Sequence, residues 1–296
     1  MNYLAYNLQW QSVIPLPEFL PGDNSKPDVL IQYGNVPTAL LNQRDEGEGW
    51  QAKSGQLLLN VKDVARYLVC NGSEIWIEPA AGSEEADVRA FLLGSVVGAL
   101  LNQREILVLH ASAIQTARGA VLFMGDSGKG KSTLLAAMRQ RGYSMLADDK
   151  TAIVLDERGY PLVIPGYPST RLWADALVKL NYSLKDLSRV FTDLDKYVLP
   201  VDCFCDKPVP LYAIYVLESH QSQDIRFDAV EDMHRFTLLY QNYYRKEWLR
   251  GLDLHVLHFQ MATLVAKVAQ ITRIVRPQHL FLLNELANRV DEDLKL

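Results

Sequence analysis

The sequence predicts an α/β chain in two parts: a β-rich α+β domain over residues 1–104, and over residues 105–296 a domain whose sheet is mixed rather than purely parallel. Three observations predict it. Up to about Glu105, short apolar runs alternate with Pro, Gly and Asn punctuation, the pattern of strands joined by turns. The octapeptide Gly125-Asp126-Ser127-Gly128-Lys129-Gly130-Lys131-Ser132 sits between an apolar run and a helical pattern and matches G-x-x-x-x-G-K-[ST]. Around that octapeptide the apolar runs come in pairs with short connections, so hairpins replace the strict alternation of strand and helix that a doubly wound fold would need.

In chain order, Val29-Leu30-Ile31 after Ser25-Lys26-Pro27-Asp28, and Ile75-Trp76-Ile77 after Asn71-Gly72-Ser73-Glu74, read as strands of the first part. From Ser83 a capping-type residue precedes Glu84, Glu85 and Asp87, carboxylates that oppose the positive end of a helix dipole, so a helix begins there and joins the two parts. Its apolar stretch Phe91 to Leu101 is too short to cross a bilayer and reads as buried. Two runs follow, Ile106 to Thr116 and Ala120 to Met124, with Ala117-Arg118-Gly119 as a hairpin connection. After the octapeptide, Ser132 to Met138 is helical and ends near Gly142, a suitable residue just past a helix end. Tyr143 to Ala147 is a strand ending on Asp148-Asp149, and Thr151 to Leu155 pairs with Tyr160 to Pro165 through Asp156-Glu157-Arg158-Gly159. After Pro277, Leu280, Leu283, Leu286 and Val290 share one helical face and should pack as core.

Composition narrows the functions. The 296 residues are 49% hydrophobic and 22% charged, as in ordinary globular chains. A net charge of −5 and a pI near 5.7 argue against a broad nucleic-acid or membrane footprint. Three cysteines, Cys70, Cys203 and Cys205, make no disulfide framework, and Cys203-x-Cys205 on one strand face with no His beside it is an incomplete metal set. The start, Met1 to Asn7, lacks a basic segment followed by a long apolar one, so no export is expected and a cytoplasmic location fits.

The octapeptide carries the chemistry. Its glycines let successive backbone N–H groups converge on phosphate oxygens at a helix N-terminus, so Gly125, Asp126, Ser127, Gly128, Lys129, Gly130, Lys131, Ser132 and Thr133 form the expected nucleotide-binding set. Lys131 would reach the β- and γ-phosphates, and the Ser132 hydroxyl would ligate Mg2+. Phosphoryl transfer also needs carboxylates, which Asp148 and Asp149 supply; on an extended segment they face opposite ways, so one addresses the reacting oxygen while the other, Asp149, joins Ser132 at the metal. His110 lies inside an otherwise apolar run on the strand expected beside the octapeptide's own, where pairing with Asp148 would orient that carboxylate.

Taken together, His110-Ala111-Ser112-Ala113, the octapeptide with Thr133, and Gly142-Tyr143-Ser144-Met145-Leu146-Ala147-Asp148-Asp149 resemble the catalytic domain of HPr kinase/phosphorylase and its relatives. The resemblance implies a P-loop kinase domain similar to that of phosphoenolpyruvate carboxykinase, using ATP and Mg2+ to phosphorylate a serine. It assigns the base to Asp148, assisted by His110. Leu16-Pro17-Glu18, Pro27-Asp28-Val29 and Pro165-Gly166-Tyr167-Pro168 with Arg171-Leu172-Trp173 look most like the shorter HPr-kinase-like proteins found beside peptide-modification genes, including lasso-peptide kinases. The likeness is specific from about residue 83 to 173. One departure stands out: Ile164 to Arg171 has no carboxylate where HPr kinase carries a Glu beside Arg-Gly, so the resemblance does not extend to full metal ligation, to the reverse phosphorylase activity or to HPr as acceptor.

The expected function is therefore transfer of the γ-phosphate of ATP to a serine or other hydroxyl, with Asp148, His110, Lys131, Asp149 and Arg171 at the reaction and a peptide or protein as acceptor. Arg171 would contact phosphate or stand as an ordinary surface arginine, Lys196 would be a solvated surface lysine or approach the transferring group as a second cation, and Tyr240 to Arg250 would form an amphipathic helix or a peptide-docking face. Two alternatives use the same motif: a nucleotide-responsive binding module and a nucleoside triphosphatase. No nucleic acid or membrane partner is expected; no sustained heptad marks an interface, and a homo-oligomer is compatible with the sequence.

Overall fold

In the first 79 residues the apolar positions recur every second residue, and the chain forms strands whose alternate side chains face one core. Leu8, Trp10 and Ser12 are buried along one strand, and Tyr67 and Val69 along another, while the residues between them are more open. The computed structural model describes residues 1–191, 194–221, 224–277 and 282–295. Its strands β1 (Asn2–Ala5), β2 (Leu8–Ser12), β3 (Leu20–Pro21), β4 (Val29–Tyr33), β5 (Asp45–Gly47), β6 (Trp50–Lys53), β7 (Gln56–Val61), β8 (Ala65–Cys70) and β9 (Glu74–Pro79) make one sheet in the order β3-β1-β2-β4-β9-β8-β7-β6-β5. Pairing is antiparallel except where β4 lies between β2 and β9.

The connecting helix is interrupted. Helix α1 (Glu85–Phe91) passes through a widened π-type turn at Leu92–Val96 into α2 (Val97–Gln103), and Gly94 leaves helical geometry with φ −88° and ψ −105°. Leu92, Val96, Leu100 and Leu101 are fully buried in a core shared with Trp10, Tyr67 and Ile77 on one side and Val108, Ala152 and Trp248 on the other. No strand pairing among the described residues joins the two large sheets; this apolar layer holds them together.

The second sheet contains β10 (Leu107–Leu109), β11 (Ala111–Thr116), β12 (Gly119–Met124), β13 (Ser144–Ala147), β14 (Thr151–Leu155), β15 (Pro161–Ile164), β18 (Val209–His220), β19 (Arg226–Ala229) and β20 (Gln270–Pro277), while β16 (Ser169–Trp173) and β17 (Lys196–Pro200) pair separately. Its order is β10-β14-β15-β18-β12-β11-β13, with β20 beside β18 and β19 beside β20. The central strand β12 pairs antiparallel to β11 and parallel to β18, so the sheet is mixed, and both expected hairpins form. Helix α3 (Lys131–Arg139) follows the glycine loop and packs against α7 (Leu283–Lys295); α4 (Ala174–Lys179), α5 (Asp232–Gln241) and α6 (His255–Val268) complete the set. Leu283, Leu286 and Val290 are buried as their spacing predicts; Leu280 lies outside the described residues.

Four expectations are corrected. The run Ile106 to Thr116 is two strands rather than one: β10 pairs with β14, β11 with β12 and β13, and the break falls on His110, whose N–H donates to the Asn242 carbonyl at 2.8 Å. Asp148 and Asp149 do not continue an extended strand, because Asp149 adopts φ 66° and the turn closes with the Lys150 N–H on the Asp148 carbonyl at 2.8 Å. Cys203 and Cys205 share no strand face; Cys203 is exposed beside Ser144, 3.2 Å away, and no cluster of metal-ligating side chains occurs among the described residues. Tyr240 to Arg250 is not one amphipathic helix, since α5 ends at Gln241 and Tyr243 and Trp248 turn into the cores.

Candidate functional site

Three segments converge at the glycine loop: the loop itself between β12 and α3, the acid pair after β13, and the break between β10 and β11. Gly125, Gly128 and Gly130 have φ of 138°, 82° and 89°, values that L side chains rarely adopt, so glycine is required for the chain to turn its amides inward. Asn242 fixes the loop's entry, accepting the Gly125 N–H on Oδ1 at 3.0 Å while its own carbonyl takes the His110 N–H. Lys131 is buried and folds back, donating from Nζ to the carbonyls of Gly125 at 2.7 Å and Asp126 at 3.1 Å. Burial pushes its pKa down, and the nearby charges of Asp148, Asp149 and Asp126 oppose that shift in part.

Asp148 sits in a shell of hydroxyls. Its Oδ1 accepts from Ser112 Oγ at 2.6 Å and from Ser132 Oγ at 2.9 Å; its Oδ2 accepts from the Thr170 hydroxyl and, at 3.4 Å, from the Arg171 N–H. The side chain is almost wholly buried with no cation in direct contact among the described residues, and multiple hydrogen bonds are what let a carboxylate tolerate that.

Asp149 has a different environment. Its Oδ2 accepts from Lys150 Nζ at 2.6 Å, its Oδ1 lies 3.5 Å from His110 Nδ1, and a third of the side chain reaches solvent. Burial, the largest influence, raises its pKa, but Lys150, His110 and Arg171 together outweigh it and hold the carboxyl well below the usual carboxylate range. Lys150 is itself wholly buried, its ammonium 5.3 Å from the centre of the Tyr244 ring. Burial would lower its pKa, yet Asp149 chiefly, with the oxygens of Tyr244, Tyr167 and Tyr6, raises it well above the ordinary lysine value. His110 Nδ1 also lies 3.1 Å from the Asp149 carbonyl oxygen, which can only accept; the neutral ring therefore carries its proton on Nδ1 and leaves Nε2 as an acceptor. Burial pushes the His110 pKa down, Asp149 opposes this and Lys131 adds to it.

No protein-family model matches the chain, and none of the curated proteins is similar to it. Among solved structures, the HPr(Ser) kinase/phosphatase from Coxiella burnetii is similar over 64% of this chain and 91% of that one, with 12% sequence identity and a TM-score of 0.31. At that score the likeness is loose, and the site's chemistry rests on its own geometry. No described helix is long and apolar enough to cross a membrane.

Of the residues singled out by sequence, Lys131, Ser132, Asp148, Asp149 and His110 come together, but in other pairs than expected. His110 contacts Asp149, not Asp148, because the left-handed turn at Asp149 swings that residue toward the strand break. Asp149, expected at the metal, is taken up by Lys150 and His110, and Asp148 is the carboxylate that reaches Ser132. Arg171 lies on β16 with its charge bearing on Asp149, and it lines a cavity of about 230 Å³ with Pro17, Glu18, Arg89, Ser188 and Val198. Lys196 stands opposite Trp173 in the β16–β17 pair, close enough for its charge to lower the Lys131 pKa slightly further. Asp126 and Ser127 are exposed at the loop tip, and Lys129 donates from Nζ to Ser219 Oγ at 2.7 Å.

Sequence reading missed Lys150, Ser112, Thr170, Asn242 and Arg276. Two of these carried a signal: Ser112 is a second polar residue in the same apolar run as His110, and Lys150 is a cation directly after two acids at the start of an apolar strand. Asn242, 117 residues from Gly125, and Arg276, whose Nη2 donates to the Lys129 carbonyl at 3.1 Å from 147 residues away, had none.

The donors at Asp148 fit the metal that the resemblance implies. A hydroxyl and a carboxylate 2.9 Å apart are hard oxygen ligands, and Mg2+ is held by one or two carboxylates with phosphate and water completing its shell rather than by an all-protein cage. Ser132 and Asp148 would hold it.

Proposed function

We propose that this chain transfers the γ-phosphate of ATP to a serine or other hydroxyl of a peptide or protein acceptor. The observation that carries the reading is the division of the acid pair: Asp148 bonded to the Ser132 hydroxyl of the glycine loop, Asp149 ionised beside His110 and open to solvent. In phosphate-loop proteins the metal is held by the loop Ser or Thr and one Asp, and a separate group orients the attacking oxygen. Mg2+, when bound, neutralises charge on the phosphate oxygens. Asp148 and Ser132 belong to that side of the site, and Asp149 to the acceptor side, the reverse of the roles expected from the sequence.

Asp149 accepts a hydrogen bond from the incoming hydroxyl and takes its proton as the oxygen bonds to the γ-phosphorus. The bond from that phosphorus to the β-phosphate oxygen breaks, and ADP leaves. Lys131 exchanges the Gly125 and Asp126 carbonyls for phosphate oxygens, where its charge opposes the negative charge that develops. His110, through Nδ1–H, steadies the backbone of Asp149, and Arg171 adds a cation beside it. The cavity beside Arg171, whose charge bears on Asp149, is the approach assigned to the acceptor.

The test is incubation with γ-labelled ATP and serine-containing peptides. Labelled peptide that disappears in Lys131→Ala supports the transferase. Label released as inorganic phosphate at the same rate with or without peptide replaces it by a triphosphatase, and nucleotide binding with no product leaves only a nucleotide-responsive module.

A further inference from the structure

A second cavity, of about 210 Å³, borders the glycine loop at a different place from the acid pair. Its walls include Gly128, Lys129, Gly130 and Thr133, but not Lys131, Ser132, Asp148 or Asp149. Facing the loop are Trp173 from the end of β16, Ala176 from α4, and Leu282, Leu283 and Leu286 at and just before α7. Trp173 leaves 48% of its surface exposed, against 1% for Trp10 and Trp248, so a large aromatic face remains bare beside the loop.

We infer that this cavity holds the nucleoside of the bound nucleotide, with the Trp173 indole as the surface on which the base stacks. The inference rests on the phosphate-binding reading above and adds where the rest of the nucleotide lies. In a glycine-rich phosphate loop the amides hold the α- and β-phosphates and the lysine reaches the β and γ, so the reacting end is the Lys131 and Ser132 side. The nucleoside hangs from the α-phosphate and must leave the loop elsewhere, and the second cavity is the bordering space whose walls exclude the reacting groups.

Its chemistry suits a planar base. Three leucines and a half-exposed indole line the cavity, and a heteroaromatic ring seated against them removes apolar surface from water. The polar side chains around it are Lys129, Lys179 and Arg276 as cations, the Asp175 carboxylate that pairs with Lys179 at 3.5 Å, and the Thr133 hydroxyl. Positive groups at the rim favour a polyphosphate tail over a neutral nucleoside. Arg276 is already oriented toward the loop, since Nη2 donates to the Lys129 carbonyl at 3.1 Å and lies 3.6 Å from where a Cβ on Gly130 would stand. Lys196, opposite Trp173 across the strand pair, lies 5.8 Å from the indole centre and helps hold the ring in place.

Calorimetric titration of the full chain with ATP and with inorganic tripolyphosphate, both with Mg2+, tests this in wild type, Trp173→Ala and Trp173→Phe. ATP is expected to bind the wild-type chain more tightly than tripolyphosphate. Trp173→Ala should weaken ATP roughly tenfold and leave tripolyphosphate unchanged, with Trp173→Phe in between. Equal losses for both ligands in Trp173→Ala, or no loss for ATP, would overturn the nucleoside site while leaving the loop's role intact. If neither ligand binds the wild-type chain, the phosphate-binding reading fails first and this inference with it. Unchanged melting temperatures of the two variants confirm that binding, not folding, is being read.

Discussion

The two sides of the acid pair are built from different chemistry. Asp148 is enclosed by the hydroxyls of Ser112, Ser132 and Thr170, whereas Asp149 is surrounded by ionisable groups, with Lys150 beneath it and His110 beside it. Hydroxyls carry no charge of their own, so a ligand that takes over their hydrogen bonds to Asp148 strands none of them as an ion. A buried ion pair cannot be loosened without stranding a charge, which keeps Asp149 ionised and in one place. Two adjacent, chemically identical side chains thus acquire separate partners, because a left-handed residue between β13 and β14 points them into different surroundings.

The sharpest way to break this comparison is to neutralise each acid in turn. Asp149→Asn is expected to slow phosphoryl transfer by about 10²- to 10⁴-fold with ATP affinity largely kept. Asp148→Asn should raise the Mg2+ concentration needed for half-maximal transfer. Full transfer by Asp149→Asn, with the loss confined to Asp148→Asn at saturating Mg2+, would reverse the two roles.

Next in size is the ion pair itself. Lys150→Met should cost about 3 kcal/mol in urea unfolding, at the low end for a broken buried pair because Asp149 keeps partial access to water. Adding Asp149→Asn to it should restore part of that stability, and no coupling between the two changes would mean that the pair is not formed.

A buried ionisable group without a counter-charge sharpens the contrast. His258 is wholly buried, and neither ring nitrogen has a partner among the described residues. Burial pushes its pKa from 6.5 down to about 4, so the unfolded chain takes up its proton first as pH falls. Its contribution is fully present above about pH 6.5 and is lost progressively on acidification toward pH 4, about 3 kcal/mol in all. His258→Leu should remove that share of the acid slope; an unchanged slope would place its titration elsewhere.

The smallest effect probes the packing beneath Lys150. Gly98 lies in α2, where Ala would ordinarily favour the helix, yet a Cβ there would stand 2.4 Å from Tyr244 Cε1 and 3.6 Å from Lys150 Cδ. Gly98→Ala is therefore expected to destabilise by about 1–3 kcal/mol. A raised melting temperature would show that the Tyr244 ring is free to move and does not hold Lys150.

Much of this site was legible in the sequence because its parts are local. The glycine loop occupies eight consecutive residues whose spacing has a stereochemical reason, and hairpin connections such as Ala117-Arg118-Gly119 advertise themselves within three. His110 was conspicuous as a polar residue in an apolar run, but its partner was misassigned. Alternation along a strand puts neighbours on opposite faces only while the backbone stays extended, and Asp149 at φ 66° does not. The expected helix from Tyr240 failed for a similar reason: Tyr243 and Trp248 gain more from burial in two different cores than from sharing one amphipathic face.

The amino-acid order by itself determined the β-rich first part, the helix signalled from Ser83, the strand, loop and helix around Gly125 to Ser132, and the presence of two acids and a histidine for it to work with. Those follow from periodicity, backbone stereochemistry and the short range over which turns act. Only the tertiary structure decided that His110 and Lys150 serve Asp149, that Ser112, Thr170 and Ser132 serve Asp148, and that Asn242 and Arg276 brace the loop from the far end of the chain. The physical reason is that a buried charge or polar group takes whatever partner the packing brings within hydrogen-bond reach, and packing depends on contacts between residues remote in sequence.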